Sequence, residues 1–312
     1  MRVFLTGGTG QIGTRLIKRL VQRGDEVIVL TRDKQRAEQR LLPTLGDTVF
    51  KLSFTQGDPM QAGHWMPRVN GCDAVINLAS ENLFARRWNE AFKQQLVDSR
   101  LKSTRHVVQA IEQAPNKPDV LVHGTAIGYY GMPGDKELTE ESPAGSDFLA
   151  RLCVQWEAAA SGVEAMGSRL VLLRSGVVFD KTGGALAKML TPFKLFVGGK
   201  TGSGRQWVSW IHHEDEVGLI LFALDHATVR GPLNATAPHP ATNRDVAKAI
   251  GAAMGRPSFF PTPGFMLRLG LGEVSQLVLG SQKVLPKKAL ALGYKFKQPE
   301  VAAALREILA KR

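Results

Sequence analysis

The N-terminal thirteen residues limit the fold of this chain more tightly than any other stretch. Val3 to Leu5 is a short apolar run ending in Thr6-Gly7-Gly8, and Ile12, Leu16, Ile17, Leu20 and Val21 follow at helical spacing. The order is strand, glycine turn, helix. Inside the turn, Gly8-Thr9-Gly10-Gln11-Ile12-Gly13 forms a GxGxxG run, and Gly7 stands three and six residues before Gly10 and Gly13. Glycine at such positions lets the backbone turn tightly and approach a pyrophosphate, while the helix N-terminus offers its free amides to the anion. In isolation, a glycine turn selected only for helix-on-sheet packing would look the same. The flanking strand and helix supply the context of a dinucleotide site, with Thr6, Gly7, Gly10, Gln11, Ile12 and Gly13 as its contacts.

Glu26 to Leu30 reads as a second buried strand, Asp73 to Leu78 and Asp119 to His123 repeat the pattern, and Arg169 to Arg174 reads as the sixth strand. Helices are expected from Asn89 to Gln113 and from Asp147 to about Ala160. Strands alternating with helices imply a parallel sheet, hence an α/β fold with a doubly wound sheet of the Rossmann type. A length of 312 residues leaves room for two lobes sharing a cleft. Residues 1–180, joined by part of 205–237, are expected to form the NAD(P)-binding domain. Residues 181–312 are expected to form a smaller α-rich C-terminal substrate lobe, closed by a helix near Pro299 to Ala310.

The opening MRVFL runs directly into glycines, which is too short for a signal peptide, and no later stretch offers eighteen apolar residues without charge. Cys72 and Cys153 lack CxxC spacing, so neither a disulfide framework nor a zinc site is suggested, and a cytoplasmic location fits. Lys and Arg outnumber Asp and Glu by 40 to 28, a net +12 that favours anionic partners. Those cations are spread from Arg2 to Arg312 with no long basic run, so no nucleic acid is expected; without a spanning segment no membrane is expected either, and the expected partner is a small-molecule substrate.

After the second strand, where an acid would grip the ribose hydroxyls of NAD, the chain reads Thr31-Arg32-Asp33-Lys34. A guanidinium suits a 2′-phosphate, so NADP is favoured, with Asp33 keeping NAD open and a solvated loop cation as the plain alternative for Arg32. Asp58 could reach the adenine amino group or simply cap a turn, and Asn77-Leu78-Ala79 ends the fourth strand where small residues admit a cofactor.

Thr6-Gly7-x-x-Gly10-x-x-Gly13, the Asn77-Leu78-Ala79 strand end and Tyr129-Tyr130-Gly131 resemble the extended short-chain dehydrogenase/reductases. More closely, Glu81-Asn82, Arg87-Trp88, Trp156-Glu157, Arg174-Ser175-Gly176, Gly202-Ser203-Gly204-Arg205-Gln206 and Trp210-Ile211-His212 resemble the bacterial YfcH-like epimerase family. The stretch with Gly272-Glu273 and Leu279-Gly280-Ser281-Gln282 is similar to that family's small C-terminal domain of unknown function. Ser80 departs from the family's usual glycine but is equally small. The resemblance implies a dinucleotide fold and a homodimer built through two sheet-flanking helices, one of them Asn89 to Gln113.

It does not imply the usual chemistry. Typical members exchange a proton through a Tyr-x-x-x-Lys pair while hydride moves to the nicotinamide. The only tyrosines are 129, 130 and 294, none begins such a motif, and aligning Glu157 with the family sets Leu149 and Cys153 in the two places. The remaining candidates for catalysis, in falling order, are Tyr129, Tyr130, Thr125 and Glu81. Each has a plain alternative: aromatic packing for the tyrosines, a strand-end hydroxyl for Thr125, loop anchoring for Glu81. Asn82, Arg174 and Arg205 are candidates for holding an anionic substrate, Arg205 equally a solvated loop cation, and no metal is expected at His212-His213. The expected function is an NADP-binding atypical short-chain dehydrogenase/reductase, an oxidoreductase or epimerase, acting on a small anionic substrate. The missing pair keeps a second reading open, a non-catalytic dinucleotide-dependent sensor or interaction protein, with a role in division implied by related plastid and cyanobacterial proteins.

Overall fold

The computed structural model describes residues 1–310. Seven strands make the main sheet: β1 (Arg2–Thr6), β2 (Glu26–Thr31), β3 (Leu52–Gln56), β4 (Ala74–Asn77), β5 (Val120–Ala126), β6 (Arg169–Ser175) and β7 (Gly231–Ala235). All pair in parallel, in the order β3-β2-β1-β4-β5-β6-β7. The order reverses between β1 and β4, and a doubly wound sheet opens its crevice there, beyond the carboxyl ends of the strands.

Burial on both faces explains the unbroken apolar runs of the central strands. Val3, Phe4 and Leu5 of β1 are fully enclosed, and Phe4 stacks on Trp65 at 5.9 Å between ring centroids. Enclosing a side chain like Phe4 contributes about 1.5–3 kcal/mol. One face of the sheet is covered by α1 (Gln11–Arg23) and α6 (His213–Asp225), the other by α3 (Glu90–Gln113) and the segment around Trp65. α1 buries Leu16, Ile17, Leu20 and Val21 and stops at Gly24, whose φ of 97° a residue with a side chain rarely adopts.

Three further helix starts follow from local capping. Asn89, Asp147 and Asp33 accept hydrogen bonds from the amides of Phe92, Ala150 and Arg36, beginning α3, α4 (Phe148–Ala160) and α2 (Lys34–Leu41). Residues 213–235 rejoin the main sheet as α6 and β7. A separate core gathers Phe179, Trp210, Leu186, Leu190, Val246, Ile250 and Leu305 between α5 (Gly184–Lys194), α7 (Asn243–Met254) and α9 (Val301–Leu309). α8 (Gly264–Leu271) lies outside it, with no buried residue. No helix among the described residues is long and apolar enough to cross a membrane.

Candidate functional site

A cleft of about 370 Å³ opens at the reversal point, running from Leu30, Thr31 and Asp58 past Gly7 and Gly10 to Leu78, Ala79 and Glu81. Two glycines are required by its floor. A Cβ on Gly7 would lie 2.7 Å from the Leu78 carbonyl carbon, and one on Gly13 would lie 2.4 Å from the Gly7 oxygen, so the turn, the β4 end and α1 meet through bare backbone. Gly10 differs: a Cβ there meets only the Gly7 oxygen, at 3.1 Å, and Gly10 lines the cleft. α1 begins at Gly10 with no side-chain cap and no acidic residue in its first turn. Its leading amides and positive dipole end therefore suit a pyrophosphate.

Thr6 and Asn77 fix the strand ends beneath that cradle. The Thr6 hydroxyl donates to Asn77 Oδ1 at 2.5 Å and accepts from the Ala79 amide at 3.2 Å. Asn77 Nδ2 in turn lies 3.2 Å from His123 Nδ1, so this ring nitrogen accepts and the proton sits on Nε2, which has no polar partner. Burial pushes the His123 pKa down to about 3, which keeps the imidazole neutral.

At the end of the cleft beside β2, Arg32, Arg36 and Arg40 all line the wall and are exposed. Arg36 and Arg40 stand one turn apart on α2. Asp33, the residue that kept NAD open, uses Oδ1 to cap α2 through the Arg36 amide at 2.9 Å. Asp58 Oδ1 accepts from the Met60 amide at 2.9 Å while facing the cleft.

Thr125, Tyr130 and Arg174 come together around a residue the sequence offered only as an alignment marker, Glu157. Arg174 donates to both Glu157 oxygens, at 2.8 and 2.7 Å, and to the Tyr130 hydroxyl at 2.9 Å. Thr125 donates to Glu157 Oε1 at 3.1 Å, and Tyr130 donates to Asn234 Oδ1 at 2.6 Å. Burial raises the Tyr130 pKa despite Arg174 beside it. The phenol of Tyr130 thus has both its hydrogen-bonding roles filled inside the protein. Tyr129 is half-buried, and its ring centroid lies 3.5 Å from the Arg174 guanidinium carbon. Leu149 and Cys153, in place of the usual pair, are buried on α4, and burial pushes the Cys153 thiol up to about 12.

Glu81 lines the opposite wall of the cleft; its amide donates to Ser99 and its carbonyl accepts from Arg100. Asn82 is exposed and caps a turn through the Phe84 amide. Arg205 is also exposed, apart from the Glu157 cluster, its amide donating to Ser203. Gln11 Nε2 lies 3.4 Å from the Gly183 oxygen, just before α5, and Ile12 packs against the core. Sequence reasoning passed over Arg36, Arg40 and Ser103, which α2 and α3 bring to the cleft. The four-residue spacing from Arg32 through Arg40 was the available signal.

The sequence profile of the NAD dependent epimerase/dehydratase family matches residues 3–235, and that of a domain of unknown function (DUF1731) matches residues 262–308. The chain is similar to the epimerase family protein SDR39U1 homolog, chloroplastic, of Arabidopsis thaliana, with 41% identity covering 99% of this chain and 87% of that one. Against the epimerase family protein YfhF of Bacillus subtilis the identity is 37%, covering 100% and 99%. The crystal structure of human epimerase family protein SDR39U1 (isoform 2) with NADPH superposes with a TM-score of 0.86 at 38% identity, covering 99% of each chain.

Proposed function

The chain belongs to the NAD dependent epimerase/dehydratase family, and from that premise we propose that it binds NADP and acts as an atypical reductase or epimerase on a small anionic substrate. The observation that carries the cofactor choice is the rim of Arg32, Arg36 and Arg40 beside an Asp33 engaged in capping α2. Three guanidinium groups there would hold a 2′-phosphate by charge-assisted hydrogen bonds. The human relative solved with NADPH supports the same choice.

The bound dinucleotide would supply a hydride donor or acceptor. Gly7, Gly10 and the α1 amides would seat its pyrophosphate, and Leu78 and Ala79 would leave room for the remainder to follow the β4 end. Tyr129 is the best-placed proton donor, because its ring faces Arg174 and its hydroxyl has no protein partner among the described hydrogen bonds. As the phenol releases its proton to a substrate oxygen, the Arg174 guanidinium, itself held by Glu157, would keep the ring in position. Thr125 and Tyr130 hold that arrangement in place. Arg205 and Asn82, both exposed, remain available for an anionic substrate group.

Titrating NADPH and NADH into the wild type and into Arg32→Ala, Arg36→Ala and Arg40→Ala tests the cofactor assignment. Each substitution should erode the NADPH preference, the strongest by about tenfold or more, and leave NADH binding unchanged. Equal affinities in the wild type would overturn it. Tight NADPH binding with no oxidation across a broad carbonyl panel would move the reading to a dinucleotide-dependent sensor.

A further inference from the structure

A continuous ribbon on the smaller lobe carries an apolar surface that the core does not use. The segment after α5 pairs with the segment before α8: the Phe260 amide donates to the Gly198 oxygen at 3.1 Å, Thr262 to Lys200 at 2.9 Å and Gly202 to Thr262 at 2.9 Å. Along it, Phe196, Phe259, Phe260, Phe265, Met266 and Leu269 are 52, 75, 44, 68, 54 and 77% exposed. Residues 265, 266 and 269 share one face of α8, which reads GFMLRLGL and has no fully buried residue. Phe196 is the one non-glycine residue with positive φ among those described, at 63°, so an exposed aromatic ring is held in a backbone conformation it rarely takes. Patches of this kind on soluble chains mark a surface that something covers.

Charge narrows what covers it. Neither 181–213 nor 246–272 contains a single Asp or Glu, while together they hold eight Lys or Arg. Arg256 lies 3.9 Å over the Phe196 ring, and Arg268 projects from α8 beside the apolar face. A second copy docking by a twofold axis would bring these cations against their own counterparts. An anionic bilayer offers both complements at once, acyl chains for the aromatic and aliphatic side chains and headgroups for the cations. We infer that this face of the smaller lobe binds the surface of an anionic lipid bilayer, lying on it without spanning it. The sequence expectation of no membrane came from the lack of a spanning segment, which such a surface does not need.

Vesicle flotation of the full chain tests this, with phosphatidylcholine alone and with equal parts phosphatidylcholine and phosphatidylglycerol. The wild type should float with the mixed vesicles, remain behind with the neutral ones, and be released by added salt. Phe265→Ser combined with Leu269→Ser should weaken binding by about tenfold or more, and Arg256→Glu with Arg268→Glu should abolish it. Circular dichroism and NADPH titration of both variants should match the wild type, since the altered side chains are exposed. No flotation of the wild type with mixed vesicles, or unchanged flotation of both variants, overturns the inference. So does a sedimentation profile in which the wild type is a dimer and the Phe265→Ser, Leu269→Ser variant a monomer.

Discussion

Arg174 on β6 grips Glu157 on α4 through two hydrogen bonds of 2.8 and 2.7 Å, and both side chains are almost fully enclosed. Burial alone disfavours the charge on Arg174, and the Glu157 hydrogen bonds more than offset that. Removing one partner strands the other. Glu157→Leu should therefore cost about 3–5 kcal/mol in urea unfolding, and Arg174→Met a similar amount, while the double substitution should recover much of the loss. Additive costs in the double variant would show that the pair is not a unit.

The two neighbouring phenols should separate cleanly. Tyr130→Phe removes a hydroxyl that donates to Asn234 and accepts from Arg174, so it should lower stability by about 1–3 kcal/mol. Tyr129→Phe keeps the ring over Arg174 and should leave the melting temperature unchanged. Once a turned-over substrate is found, that variant should lose about 10²- to 10⁴-fold in kcat. Full activity in Tyr129→Phe would sink the proton-donor assignment.

Gly10 and Gly13 sit three residues apart and should respond in opposite ways. Gly10→Val has an ordinary φ of −75° and space on the cleft side, so it should fold normally by circular dichroism and bind neither NADPH nor NADH. Gly13→Ala forces a methyl to within 2.4 Å of the Gly7 oxygen and should destabilise the fold by about 1–3 kcal/mol. Wild-type affinity in Gly10→Val would place the pyrophosphate elsewhere.

Glu216 gives a pH dependence with a definite sign. Burial pushes its carboxyl up to about 7 from 4.5, even though Ser175 donates to Oε1 at 2.5 Å, and Oε2 has no partner. A folded-state pKa above the unfolded one means that its contribution is complete below pH 4.5 and is lost as pH rises through about 7. His123 runs the other way, complete above its ordinary 6.5 and lost as pH falls toward about 3. The stability difference between wild type and Glu216→Gln isolates the carboxyl and should shift in favour of the variant across the pH 4.5 to 7 window. A difference that stays flat would mean the carboxyl is ordinary.

What could be read from the sequence was whatever is encoded within about one helical turn or one strand. The strand, glycine turn and helix of residues 2–23 are local, because apolar spacing and the need for bare backbone at Gly7 and Gly13 leave marks in adjacent positions. The same holds for α3 and α4, whose starts at Asn89 and Asp147 are written in the capping residues themselves. Tertiary structure decided the rest. Tyr130 meets Asn234 across 104 positions and Arg174 meets Glu157 across 17, and nothing near any of them announces the partner. Asp33 carries the same carboxylate whether it grips a ribose or caps α2; only the placement of the Arg36 amide assigns it. GFMLRLGL has the composition of a core helix, yet α8 leaves Phe265, Met266 and Leu269 exposed and packs only Leu271 against a core, because burial depends on which surfaces the topology brings together and a chain's own pattern does not specify that.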